Sequence, residues 1–448
     1  MKSNIVPKAS PAPLPELETF LAPFAPLFRR HTSRDSVERY VTGLLTDLPH
    51  KTADTIAAAV AGTSTERLQH LLTDAAWEAQ ALDEARVKQL LAIHPPTAGV
   101  LVFDDSGLPK KGTQSVGVAA QYSGTLGKIG NCQVMVSAEY LVDDPTSSTP
   151  FHFPVSAQLF LPESWITDEE RRTRTHVPGE LSQQTKPEIA LSLLDRARSW
   201  GVPVQVVVVD AGYGDNPHFL QGLDERRVPY VCAVESTFGV RLPEEVQTAA
   251  TQAPAYGGRG QPRKPRPAPL YTVKDLIAAQ PESTWQTISW REGTKGTMQA
   301  QVVALRVHWA TGSPRHSTSH SRVHTGPQGW LLAERPVPSP PEPSSQDDPA
   351  KKEAAEKKEA EETKYWFSSL PPETSLEQLV TLAHARWVIE QFYEDAKQEC
   401  GWDNFQGRRW DGLHRHLALV MLAYSFLALQ RLVLPLPAGE DFPPLGHT

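Results

Sequence analysis

Cysteine is scarce in this chain, and what there is stands apart. Cys132, Cys232 and Cys400 are the only three, and no two form a CxxC pair. That excludes a zinc finger or ribbon as the organising element. A sparse, odd set fits a reducing compartment better than a disulfide framework. Long apolar runs are missing too. The most hydrophobic stretch, LALVMLAYSFLAL at 417–429, is well short of the ~20 residues that span a bilayer, so it reads as a buried helix and no membrane partner is expected. The first residues, MKSNIVPKASPAPLPELETF, hold no apolar segment of the signal-peptide kind, so a cytoplasmic protein is expected. Net positive charge is also lacking: 44 Lys and Arg face 52 Asp and Glu, a balance of −8. Taken whole, that speaks against a nucleic-acid partner, which usually meets a basic field. No HExxH occurs, and the 15 histidines show no metal-binding spacing. GLPKKGT at 107–113 lacks the lysine that directly follows the second glycine of a phosphate-binding loop.

What is present is length, proline and local contrast. The chain has 448 residues, 40% of them hydrophobic, and 40 prolines, which suggests two to four structural units joined by linkers. The charge objection weakens locally. Residues 251–335 carry eleven Lys and Arg against four Asp and Glu, an excess of seven positive charges.

Apolar residues recur at helical spacing through 16–94, and Pro95–Pro96 closes that stretch. Residues 1–95 therefore read as an N-terminal helical unit. Strands follow at GVLVF (99–103), SVGVAAQY and QVMVSAEYLV, with Gly-rich loops between them. A helix is expected at 186–200, a strand buried on both faces at VPVQVVVV (202–209), a helix near 216–225 and a strand at PYVCAV (229–234). The order β-β-β-α-β-α-β places 96–235 in the α/β class and matches a ribonuclease H-like core. Residues 236–363 read as a β-rich insertion ending in the charged, low-complexity PVPSPPEPSSQDDPAKKEAAEKKEAEET. The core resumes at 364–433 with one strand, one helix over SLEQLVTLAHARWVIEQFYEDAKQE and another over LHRHLALVMLAYSFLALQRLVL, before a tail at 434–448.

Three carboxylate positions fit this frame. LVFDDSG puts Asp104 and Asp105 at the end of the first strand, VVVVDAGYGD puts Asp210 at the end of the most buried one, and RWVIEQFYEDAK puts Glu390 within a late helix. Phosphodiester cleavage and transfer uses divalent metals that activate the attacking oxygen and neutralise the leaving one. Mg2+, with Mn2+ as a substitute, prefers hard carboxylate oxygens, so carboxylates from separate elements must converge. Arg386 and Lys397 stand at i−4 and i+7 from Glu390, on one helical face, where cations suit phosphates. Lys110 and Lys111 follow the first aspartates and suit the DNA backbone. Trp387 and Trp290 offer rings for base stacking or for the core. His414 and His416 suit phosphate contact or helix packing.

Residues 103–133, FDDSGLPKKGTQSVGVAAQYSGTLGKIGNCQ, resemble the signature block of bacterial transposases of the insertion-sequence 701 family, within the insertion-sequence 4 group. VVVDAGYGD resembles the family's second-aspartate block, and GRRWDGLHRHLALVMLAYSFL its C-terminal block. Arg386, Glu390 and Lys397 match the R-E-K of its Y-R-E-K signature, with Ala383 where the tyrosine is expected. The resemblance implies a DDE transposase acting by cut-and-paste on double-stranded DNA, at terminal inverted repeats and target, as a homodimer in a nucleoid-associated bacterial setting. Asp105, Asp210 and Glu390 would be its catalytic, metal-holding carboxylates. Asp105 is favoured over Asp104 because these enzymes place the catalytic aspartate just before Thr or Ser. A transposase-derived DNA-binding protein that no longer cuts, and a ribonuclease H-like nuclease without strand transfer, are the alternatives.

Overall fold

The helical periodicity of the first hundred residues is realised in five pieces: α1 (Pro15–Leu21), α2 (His31–Leu45), α3 (Ala53–Ala59), α4 (Thr65–Thr73) and α5 (Ala79–Ile93). The breaks have local causes. Pro23 and Pro26 turn the chain into a 3₁₀ segment after α1. Thr52 caps α3 through a reciprocal box with Thr55, and Ser64 caps α4 after Gly62 takes φ +77°. At Gly43 an added Cβ would come within 2.2 Å of Ile56 Cγ2, so glycine is what lets α2 and α3 approach.

The computed structural model describes residues 14–124, 127–147, 150–251, 267–293, 296–311, 324–337 and 363–433. After α5 the chain enters the sheet as β1 (Val100–Pro109), β2 (Ala119–Ser123), β3 (Lys128–Leu141) and β4 (His152–Phe160). Two short helices, α6 (Glu163–Ile166) and α7 (Glu169–Arg174), precede α8 (Lys186–Ser199), β5 (Val206–Val209), α9 (Ala211–Gly214), α10 (Pro217–Glu225) and β6 (Tyr230–Val234). β1 is antiparallel to β3, and β3 to β4, whereas β5 runs parallel to β1 and β6 parallel to β5. β4 goes unpredicted by the sequence pattern, because Pro154 interrupts an otherwise strand-like run. The register slips between Ala138 and Glu139 just where β3 meets Pro154, and a bulge is where a strand tolerates proline.

The following segment holds β7 (Gly239–Arg241), α11 (Pro243–Thr251), β8 (Tyr271–Thr272), α12 (Val273–Ala278), β9 (Gln286–Gly293), β10 (Gly296–Thr311) and β11 (His324–Arg335). These strands do not form a sheet of their own. β12 (Lys364–Ser368) pairs with β6 on one side and β11 on the other. Among the described residues one twelve-stranded sheet results, ordered β2-β3-β1-β5-β6-β12-β11-β10-β7-β8, with β4 also on β3 and β9 also on β10. The charged stretch expected as a linker lies almost wholly outside the described residues.

The chain ends in α13 (Leu376–His384), α14 (Trp387–Gln398) and α15 (Trp410–Val433). By length and composition α15 could cross a membrane, but 78% of its most apolar window is buried inside the protein. It lies against β4 and against α2, α4 and α5, so one hydrophobic core runs from Leu17 to Ala428. Arg86 of α5, fully buried, crosses this junction: it donates to the carbonyls of Pro154 and Val155, to Ser425 Oγ and to Asp83 Oδ1. The helices ahead of Pro95 thus share the core of the sheet.

Candidate active site

β1 and β5 end their parallel pairing at Phe103 and Val209. The next residues, Asp104 and Asp210, stand at the same level, but only β5 ends there: β1 continues to Pro109 along β3, so Asp104 and Asp105 lie within the first strand and not at its end as the sequence suggests. Four consecutive buried valines bring the chain to Asp210, and a tight AGYG turn carries it away. An added Cβ at Gly214 would sit 2.0 Å from the Ala233 carbonyl oxygen, and one at Gly212 only 3.2 Å from Asp210 Oδ1. Asp210 Oδ1 is buried and has no hydrogen-bond partner. Burial pushes the Asp210 carboxyl up; Arg386 opposes the shift and Asp105 adds to it.

Helical periodicity runs unbroken through 375–399, and one helix is expected there. Instead the helix breaks at Ala385–Arg386, between α13 and α14. The break sets Arg386 at the start of α14, where its guanidinium donates to Asp104 Oδ2 at 2.8 Å and to Glu390 Oε1. Asp104 is mostly buried. Desolvation pushes its carboxyl up to about 7; Arg386 pulls it down, and Asp210 and Asp105 push it further up. Glu390 is the open member, its side chain 55% exposed. Arg386 therefore links the first-strand carboxylate to the late-helix one and acts on the third.

Successive residues of a strand face opposite sides, and Asp105 shows it. Its Oδ2 meets the Lys186 ammonium at 3.0 Å, at the start of α8. Lys186 was invisible to the sequence reading, since no spacing rule links positions so far apart. Two tyrosines were also missed. Tyr213, in the turn after Asp210, has a buried hydroxyl with no partner and lies in the fields of Asp105, Asp104 and Asp210. Tyr393, one turn after Glu390, donates its hydroxyl to the Asp104 carbonyl at 3.0 Å. Ala383, where the resemblance expects tyrosine, is buried on α13.

The remaining candidates divide. Lys397 is near enough to feel Asp104 and Asp403, though burial lowers its pKa, and its Nζ stands 5.7 Å from the centre of the Tyr393 ring. Lys110 is half-buried, burial lowers its pKa, and its ammonium donates to the Phe405 carbonyl at 2.6 Å. Lys111 is exposed. The tryptophans are already engaged. Trp290 stacks on His384 with centroids 4.1 Å apart and planes 4° from parallel, and Arg291 covers Trp387 at 4.4 Å. His416 is buried between the Tyr40 hydroxyl and the Gly401 carbonyl, and His414 bonds Trp410 O, so both serve helix packing. Of the eleven basic residues of 251–335, Arg259, Arg263, Lys264, Arg266, Lys295, Arg315 and Arg322 lie outside the described residues.

Among the described residues, no three His, Cys, Asp or Glu side chains already converge as a metal group. The donors nevertheless suit a hard divalent cation in kind. They are carboxylate oxygens only; Asp210 Oδ1 is an unsatisfied buried acceptor; and burial resists charge on both Asp104 and Asp210, a cost that a bound cation offsets.

Two family models match the sequence. One, a DDE superfamily endonuclease, matches residues 23–297; the other, a transposase DDE domain, matches residues 182–426. A probable transposase for insertion sequence element IS701 from Microchaete diplosiphon is 28% identical over 201 residues, 45% of this chain. The chain spans about half (48%) of that relative's length.

Proposed function

This chain belongs to the DDE superfamily of endonucleases and transposases, each model spanning more than half of it, and from that premise we propose that it is a DNA transposase. It cuts double-stranded DNA at the terminal inverted repeats of its element and joins the freed ends to target DNA, as a homodimer, on nucleoid DNA in a bacterial cytoplasm. The succession β1, β3, β4, then parallel β5 and β6, supports a ribonuclease H-like core, with β7–β11 inserted between the second aspartate and the glutamate. The N-terminal helices are assigned to reading the element's ends.

Asp105, Asp210 and Glu390 are the metal-holding carboxylates in this reading, with Asp104 the alternative for the first position, Mg2+ as the ion and Mn2+ able to replace it. Bound there, the metal supplies activation of the attacking oxygen and neutralisation of the leaving one. Resemblance favours Asp105 for the first position. The observation that carries the site is the guanidinium of Arg386, which bonds Asp104 and Glu390 together and acts on Asp210, while Asp105 acts on Asp210 as well. Arg386 and Lys397 bring positive charge to a phosphate that lies against these carboxylates, and Tyr393 steadies the Asp104 backbone.

The test is cleavage of a plasmid carrying the element's own ends, in Mg2+, by Asp104→Asn, Asp105→Asn, Asp210→Asn and Glu390→Gln proteins. Loss of a metal ligand should depress cutting beyond the 10–100-fold typical of a supporting group, with DNA affinity retained, in Asp105→Asn, Asp210→Asn and Glu390→Gln; wild-type cutting by Asp105→Asn with loss in Asp104→Asn would move the first position to Asp104. Wild-type cutting by Asp210→Asn or Glu390→Gln would remove the metal role. Cut ends that are never joined to target would reduce the activity to that of an endonuclease.

A further inference from the structure

The helices ahead of Pro95 are poorly charged for holding DNA alone. Residues 14–95 carry eight Lys and Arg against eleven Asp and Glu, and two of those cations, Lys51 and Arg86, are buried. A net negative body repels a phosphate backbone, so contact must fall where another segment adds cations and hydrogen bonds. Such a place lies between α4 and the segment 404–408, which joins α14 to α15. A cavity of about 400 Å³ opens there. Exposed Gln69 of α4 lines it together with exposed Gln406 and Arg408, over buried Leu72 and Phe405. Among the described residues, the side chains of Gln69, Gln406 and Arg408 make no hydrogen bond or ion pair. Their backbones, by contrast, are held. Lys110 Nζ donates to the Phe405 carbonyl at 2.6 Å, the Lys51 N–H to Asn404 Oδ1 at 2.6 Å and the Val116 N–H to the Arg408 carbonyl at 3.0 Å. Arg409 bonds Asp411, Asp74 and the Thr73 carbonyl, and Arg415 bonds the Leu72 and Thr73 carbonyls, so the end of α4 is tied to α15.

We propose that this groove is a base-reading site for duplex DNA, with Gln69, Gln406 and Arg408 as the residues that meet base edges. This rests on the transposase reading above and deepens it. Glutamine pairs bidentately with adenine, and arginine with guanine, in the major groove. Both uses require a free, exposed side chain on a fixed backbone, and all three residues have one. Phosphate contacts fix register but carry no sequence. Reading is thereby shared: α4 supplies one reader and the segment before α15 supplies two, so neither part of the chain reads the element's end alone. Lys110, which anchors that segment, follows Asp105 by five extended residues, about 17 Å at about 3.3 Å each. At about 3.4 Å per base pair, a duplex running along β1 from the carboxylates meets the groove about five pairs from the bond cut.

The experiment measures binding of the full chain, without divalent metal, to fluorescein-labelled duplexes over a range of salt, with a melting curve for each variant. One duplex carries the element's own end, a second has random sequence, and a set carries the end with single base pairs exchanged. Gln69→Leu, Gln406→Leu and Arg408→Met should each lower the preference for the end over the random duplex by roughly 5- to 150-fold, with the melting temperature kept. Each variant should also become indifferent to exchange at one or two pairs near the fifth from the cut. Unchanged preference in the three folded variants would overturn the proposal. So would an Arg408→Met protein that loses end and random binding equally, with a salt slope flatter by about 0.9, which marks a phosphate contact. If these residues read the end but the chain does not cut in Mg2+, the groove stands and the transposase reading fails. If the chain cuts while the three variants keep their preference, that reading stands and the groove is removed.

Discussion

Replacing Arg86 tests whether the N-terminal helices and the sheet are one mechanical body. The side chain is fully buried and donates to two backbone carbonyls of β4, to Ser425 on α15 and to Asp83 on its own helix. Arg86→Met keeps most of the volume and removes the charge and every donor. Breaking a buried ion pair by deleting one partner costs about 3–5 kcal/mol, and each orphaned carbonyl adds about 1 kcal/mol or more. A loss of about 5 kcal/mol is therefore expected, a large share of ordinary domain stability. Burial already pushes Asp83 up to about 6, with Arg86 holding it down; without Arg86 it rises further. Its neutral form then relieves part of the damage, so the loss should be smaller at pH 5 than at pH 8, and Asp83→Asn should rescue part of it. Urea unfolding followed by circular dichroism gives the free energy, and hydrogen exchange read by mass spectrometry gives the location. Protection should fall together in α5, β4 and α15. A loss below about 1 kcal/mol, or exchange confined to α2–α5 while β4 and α15 stay protected, would refute the reasoning.

Further outcomes follow from other positions. Burial lowers His152, His414 and His416 to about 4, so each stays neutral when folded. Depressed bases give stability that is present above their ordinary 6.5 and lost as pH falls toward 4, about 3 kcal/mol each. The raised carboxyls work in the opposite direction, Asp83 and Asp215 between about 6 and 3.8 and Asp104 between about 7 and 3.8, so the test is a difference between variants: His416→Gln should lose less melting temperature than the wild type as pH falls from 6.5 to 4, and an equal fall in the folded variant would contradict it. Gly214→Ala drives a methyl to 2.0 Å from the Ala233 carbonyl, and should slow cutting while lowering the melting temperature, whereas Gly112→Ala, with nothing within 4 Å of its Cβ, should do neither. Trp290→Ala removes the His384 stack and should cost about 1–2 kcal/mol, depressing nicking and later steps alike; a selective loss of one step with normal stability would show that the ring meets DNA.

Much of the core was legible because its signals are local. The valine run ending in Asp210, the helical stretch at 186–200 that becomes α8 and the apolar run of α15 each state their structure within a few residues. β4 was not legible, because Pro154 argues against a strand unless the bulge opposite it is known. The break before α14 was not, because periodicity continues across Ala385–Arg386 without Gly or Pro, and only long-range bonds show where Arg386 points. Alternation says that Asp104 and Asp105 face apart, but which face meets α14 is a tertiary fact. The partners of Lys110, Trp290 and Trp387 come from distant segments, and so could not be read from their own surroundings.

The pairing of β12 with both β6 and β11 reaches beyond the sheet itself. Glu334 is the register partner of Lys364, so the segment between β11 and β12 departs from and returns to adjacent strands. β12 begins opposite Val234, the last residue of β6, and β6 runs parallel to β5, which leads to Asp210. The segment is thus rooted on the same rim as Asp210, with its two anchors already side by side. That makes it a natural grafting port: a ligand-responsive domain whose termini lie close together could be spliced in there without stretching the host.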